Sequence, residues 1–121
     1  MNELKILVVD DESRMRKLVK DFLTRAGYQV LEAQDGEEAV DTFYSTKGIN
    51  LLVLDVMMPK MDGLSATMKI RESKNIPIII LSAKTEESDK ILGLSMGADD
   101  YISKPFRPDE LVARVKSQLR R

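Results

Sequence analysis

Short apolar runs alternate along this chain with longer stretches in which apolar residues return every three or four positions. Leu4 to Val9, Tyr28 to Ala33, Leu51 to Leu54, Ile76 to Leu81 and Tyr101 to Ser103 are the runs, each of strand length. The run from Leu51 to Leu54 carries no charge, the pattern of a strand covered on both faces in a parallel sheet. Between them, Met15, Leu18, Val19, Phe22, Leu23 and Ala26 predict a first helix stopped by Gly27, and Ala39, Val40 and Phe43 predict a second from Gly36 to about Tyr44. Leu64, Met68 and Ile70 give a third helix its inward face, closing near Ser73. Glu86 to Met96 predicts a fourth, with Ile91 and Leu94 inward and Gly97 as its stop. Pro108 and Asp109 open a last helix with Leu111, Val112, Val115 and Leu119 on one side, running to Arg120 and Arg121. Five strands alternating with five helices imply right-handed crossovers and a parallel sheet between two helical layers, an α/β doubly wound (βα)5 fold.

Composition narrows the chemistry. The 121 residues amount to one domain, 1–121, with no repeat or internal linker. Cysteine and histidine are both absent, which removes disulfides and zinc sites and leaves oxygen as the donor for any metal. Lys and Arg number 19 against 20 Asp and Glu, a net charge of −1, so there is no global electrostatic case for gripping DNA. No apolar run is long enough to serve as a signal region or to cross a bilayer, and a cytoplasmic protein with no membrane partner is expected.

Polar residues collect where the predicted strands end. Asp10, Asp11 and Glu12 follow the first strand, Asp55 the third, Ser82 the fourth and Lys104 the fifth. Asp11 or Ser13 can cap the next helix, which accounts for one acid and not for three. In open α/β sheets ligands sit outside the carboxyl ends of the strands. In a flavodoxin-like sheet of order 2-1-3-4-5 the first and third strands are neighbours, so three carboxylates converge. Such a cluster repels itself unless a cation enters it, and Mg2+ suits oxygen ligands in octahedral geometry. A carboxylate nucleophile, Asp55, beside Mg2+, Lys104 and the Ser82 hydroxyl fits phosphoryl transfer ending in an aspartyl phosphate. The turn after the first strand is D-D-E-S, and no G-x-x-x-x-G-K-[ST] occurs, so ATP is not the expected donor.

The blocks V-V-D-D-E at 8–12, L-D-V-M-M-P-K-M-D-G at 54–63, L-S-A-K at 81–84 and G-A-D-D-Y-I-S-K-P-F at 97–106 resemble, in order and spacing, the receiver domain of two-component response regulators. The resemblance runs from Ile6 to the last helix. It implies that Asp55 is the phosphoacceptor, that Asp11 and Asp55 ligate Mg2+ directly and Asp10 through water, and that the Met57 carbonyl completes the protein ligands. It further implies that Ser82 and Tyr101 form a hydroxyl and aromatic switch and that Lys104 contacts the phosphoryl group. The donor is then a phosphohistidine on a sensor histidine kinase, and the chain catalyses its own phosphorylation and dephosphorylation without being a turnover enzyme.

The later blocks and the Pro-Asp-Glu-Leu helix start resemble the OmpR/PhoB subfamily of transcription regulators, which carry a DNA-binding domain after a linker. By that resemblance the chain is a receiver cut from a longer protein, with DNA reached only through the other part; a stand-alone single-domain regulator is the alternative. A homodimer on phosphorylation is implied, through the predicted fourth helix, fifth strand and last helix, with Lys90 meeting Glu110 and Asp100 meeting Arg114. Without a partner, Glu110 and Arg114 are an ordinary i, i+4 pair. Two other readings fit less well. A small aspartyl-phosphate phosphatase of the haloacid dehalogenase type expects an acid two residues after its nucleophile, where this chain has Met57. A flavin carrier needs a hydroxyl- and glycine-rich loop where three acids stand.

Overall fold

The computed structural model describes residues 4–55, 63–72, 75–82, 99–103 and 106–120. Five parallel strands, β1 (Lys5–Val9), β2 (Gln29–Ala33), β3 (Ile49–Leu54), β4 (Ile78–Ser82) and β5 (Asp100–Ser103), form one sheet in the order β2-β1-β3-β4-β5. The helices are α1 (Ser13–Arg25), α2 (Gly36–Ser45), α3 (Gly63–Arg71) and α4 (Pro108–Leu119). The flavodoxin-like order expected from the sequence is the order found. Helix α4 is the last helix of the sequence reading; the helix predicted over Glu86 to Met96 lies outside the described residues. No helix among the described residues is long and apolar enough to cross a membrane.

Strand side chains alternate between two separate cores, because successive residues of a strand point to opposite faces. Leu7, Val9, Leu52, Leu54, Ile78 and Ile80 pack with Ala39, Val40 and Phe43 of α2 and Ile70 of α3. Ile6, Val8, Leu51, Val53, Ile79 and Leu81 pack on the other face with Val19 and Leu23 of α1 and Leu111 and Val115 of α4. One irregularity interrupts the alternation. Lys5 pairs with Ile49 and Ile6 with Leu51, so Asn50 is an extra residue in β3, a bulge. Its side-chain Oδ1 accepts the Lys5 N–H at 2.8 Å, taking the place of a ladder carbonyl. Ile49 and Leu52 therefore share a face although they are three apart.

Helix ends account for the rest of the framework. At the close of α1 the Tyr28 N–H reaches Leu23 O at 3.1 Å and the Gly27 N–H reaches Thr24 O at 3.0 Å, a Schellman ending with Gly27 at φ 101°. Because the Tyr28 N–H is spent on this turn, β2 begins at Gln29, one residue later than the apolar run suggested, while the Tyr28 side chain packs partly buried against the core. Helix α2 is capped by Asp35, whose Oδ1 accepts the Glu38 N–H at 2.8 Å. Asp35→Ala is expected to lower stability by about 0.5–2 kcal/mol, read from the urea midpoint. An unchanged midpoint would mean that solvent satisfies the Glu38 N–H equally well.

Two residues predicted to face the core do not. Leu18 is 43% exposed and Met68 48% exposed. On α1, Val19 and Leu23 already fill the stripe against the sheet, and Leu18 lies 100° round the helix from Val19. On α3, Ile70 turns inward, and two positions earlier on the helix Met68 falls on the far side. The other boundaries shift by one or two residues: β3 starts at Ile49, β4 at Ile78 after Pro77, and β4 includes Ser82. Helix α3 stops at Arg71, ahead of the expected Ser73, and β5 includes Asp100.

Candidate functional site

Strands β1 and β3 run side by side and in the same direction, with Val9 opposite Leu54. The ladder continues one residue past both: the Asp55 N–H donates to Val9 O at 3.0 Å, and the Asp10 N–H donates to Ala33 O at 3.1 Å. Asp10 and Asp55 therefore leave the sheet as neighbours. Ligand oxygens of Asp10, Asp11 and Asp55 all lie within 4.8 Å of one another. Asp10 is 3% exposed and Asp55 7% exposed, whereas Asp11 opens to solvent. Asp10 Oδ1 accepts the Glu12 N–H at 2.9 Å, which fixes the orientation of its carboxylate.

The capping explanation of these acids loses ground. The residue at the N-cap of α1 is Glu12, and no side chain there bonds a helix N–H. What remains is a cluster of three carboxylates, two of them buried, whose charges disfavour one another at this spacing. An all-oxygen donor set with one open side fits a hard divalent cation that keeps part of its water shell. The acidic cluster can hold such a metal.

The other predicted site residues divide into two sets. Ser82 closes β4, opposite Ser103 of β5, at the same edge of the sheet as Asp55. Tyr101 is buried in the core on the α2 and α3 side. Met57, Lys104 and Lys90 lie outside the described residues. At the other candidate surface, Arg114 Nη1 donates to Asp100 Oδ1 at 2.6 Å and Arg114 Nη2 stands 3.5 Å from Glu110 Oε2, all within one chain. Both acids expected to work across a dimer thus already meet Arg114. Next to them Asp109 is held below the usual carboxylate range, chiefly by its hydrogen bond from Arg107.

Sequence reasoning missed a charged frame behind the acids. Arg16 of α1 donates from Nη1 to the Asp10 carbonyl at 2.8 Å and from Nε to Glu32 Oε1 at 3.3 Å. Lys20 Nζ holds the second Glu32 oxygen, also at 3.3 Å. The available signal was Glu32 itself, an acid inside a strand, within reach of the cations on the neighbouring helix α1.

Comparison with known proteins decides what this arrangement belongs to. The model of the response regulator receiver domain matches residues 6–116. The chain belongs to the response regulator receiver domain family. It is the receiver domain of a two-component response regulator, as the motif resemblance implied, and its curated relatives include transcription regulators. It is 52% identical over 118 residues to the alkaline phosphatase synthesis transcriptional regulatory protein PhoP of Bacillus subtilis, covering 97% of this chain and 49% of that one. To the probable transcriptional regulator ycf27 of Cyanophora paradoxa it is 50% identical over 121 residues, covering 100% of this chain and 50% of that one. The receiver thus spans about half the length of the curated relatives it matches. Among solved structures, the receiver domain of Francisella response regulator 1452 superposes with a TM-score of 0.91 at 37% identity, covering 98% of each chain. The BeF3-activated DrrB receiver domain gives 0.89 at 35% identity, covering 99% of this receiver and 100% of that one.

Proposed function

We propose that residues 1–121 form one receiver domain that accepts a phosphoryl group on Asp55 from a phosphohistidine of a partner sensor histidine kinase. The observation that carries this is the meeting of three carboxylates at the ends of adjacent strands, with Asp55 almost wholly buried beside Asp10 and Asp11. An Asp55 oxygen forms the new bond to phosphorus as the bond from phosphorus to the donor's imidazole nitrogen breaks, and that bonding pair leaves with the nitrogen. Mg2+, when bound, supplies positive charge against the phosphoryl oxygens. Asp11 and Asp55 would hold it directly, Asp10 through water, and the Met57 carbonyl would complete the protein's share. Lys104 and the Ser82 hydroxyl contact the transferred group, and Ser82 with Tyr101 relays its presence to the face carrying β5 and α4. The chain catalyses its own phosphorylation and dephosphorylation and is not a turnover enzyme. The setting is cytoplasmic, and output goes to DNA through another part of a longer regulator.

Acetyl phosphate tests the acceptor reading without the kinase. With Mg2+ the chain is expected to gain one phosphoryl group by intact mass, and with the metal chelated none. Labelling that ignores the chelator would overturn the metal-assisted reading.

Phosphorylation then favours a homodimer in which Lys90 meets Glu110 and Asp100 meets Arg114 across a two-fold axis. An isologous face uses each pair twice. Because Asp100 and Glu110 engage Arg114 within one chain, dimerisation exchanges these ion pairs and adds few new ones, so the dimer is weak and sensitive to salt. Arg114→Glu is expected to abolish the dimer that beryllofluoride and Mg2+ induce in sedimentation, and adding Asp100→Arg to restore part of it. A dimer of unchanged strength in Arg114→Glu would assign the output to another surface.

A further inference from the structure

We infer that Arg16 is a positioning residue for the acidic pocket: by gripping the Asp10 carbonyl it aims Asp11 at the divalent cation and so sets the affinity for it. This rests on the proposed reading of the pocket as a Mg2+ site.

Asp10 is pinned at three atoms. Its N–H donates to Ala33 O at 3.1 Å, its Oδ1 accepts the Glu12 N–H at 2.9 Å, and its carbonyl accepts Arg16 Nη1 at 2.8 Å. The peptide joining Asp10 to Asp11 is planar, so the direction of that carbonyl fixes where the Asp11 N and Cα stand, the base from which its side chain reaches the pocket. Asp11 needs such help. It is the exposed member of the cluster, with no core packing to place it. A carbonyl held by a charged donor is a stronger anchor than one left to water.

Arg16 is in turn prevented from doing harm. A guanidinium at this distance has a competing course, which is to fold onto the carboxylates and occupy the place of the metal. Glu32, itself held by Lys20, takes the Arg16 Nε and keeps the guanidinium on the β2 side of the loop. The arrangement follows the general logic in which groups behind the ligands fix ligand orientation.

The sign of the mutant effect separates this role from plain electrostatics. Arg16 carries a positive charge close to a cation site, so if charge were all that mattered, its removal would tighten Mg2+ binding. If positioning dominates, removal weakens it. Titration of the chain with Mg2+, followed by calorimetry and amide shifts, is expected to show binding about tenfold weaker in Arg16→Gln. Arg16→Lys, which keeps the charge and one donor for the Asp10 carbonyl, recovers most of that loss. The Arg16 side chain is only 18% exposed, so Arg16→Gln is expected to lower the urea midpoint modestly and Arg16→Lys less, and both are titrated in the absence of urea, where they are folded. Unchanged or tighter binding in Arg16→Gln overturns the inference, as does a loss that Arg16→Lys, equally folded, does not recover. Asp11→Asn is the control: if the parent binds no Mg2+, or Asp11→Asn binds it as tightly as the parent, the reading of the pocket fails and takes the inference with it.

Discussion

Asp55→Asn is expected to take up no phosphoryl group from acetyl phosphate, at any Mg2+ concentration, while remaining folded. The amide has the shape of the carboxylate and no nucleophilic oxygen of comparable strength, so chemistry is lost without a cavity. Folding survives because the substitution removes one of three neighbouring charges at a buried site. Intact mass and a urea titration on the same preparation check both halves. Labelling at the parent's rate would move the nucleophile off Asp55. An unfolded variant would mean that the Asp55 carboxylate is a structural element first and an acceptor second.

Leu52→Ala is expected to be the most damaging kind of substitution for stability, at about 2–5 kcal/mol. Leu52 lies in the central strand, is fully buried, and packs with the residues of β1, β4 and α2 on its face. Losing its side chain leaves a hole between a sheet and a helical layer that cannot collapse without moving the strand that carries Asp55. Leu18→Ala serves as the contrast. It removes an equally large group from a half-exposed position and is expected to change stability by about 0.5 kcal/mol or less. Urea midpoints of the two variants side by side measure the difference. A large loss at Leu18 would show that this helix face is covered in solution.

Leu18 also marks where pattern reading runs out. An apolar residue adjacent to a helical stripe satisfies the same periodicity as its neighbours, and only the angle at which α1 meets the sheet decides that Val19 and Leu23 go in and Leu18 stays out. Strands were easier, because a strand buried on both faces of a sheet leaves no polar position to confuse the pattern, and a flavodoxin-like strand order, once adopted, brought the acids together. The bulge at Asn50 could not be read from residue types, since Asn is unremarkable just inside a strand until its side chain is seen on the Lys5 N–H. The acidic cluster was legible because three charges at strand ends lack a bland explanation. Arg16 was not, because one cation among several on α1 carries no mark of its role; the mark lies on Glu32, across the space between helix and strand.

The sheet divides the interior into two compartments whose side chains do not touch across it. Substitutions in α2 or α3 should therefore add independently to those in α1 or α4, while pairs within one compartment should couple. The two compartments are thus separate units of variation. The helical layer on one face can drift, residue by residue, to suit a new binding partner without renegotiating the packing of the other. Asp10 and Asp55 sit at the ends of the partition itself, held by strand backbone that both compartments grip, and inherit a constant geometry from whichever layer is not changing.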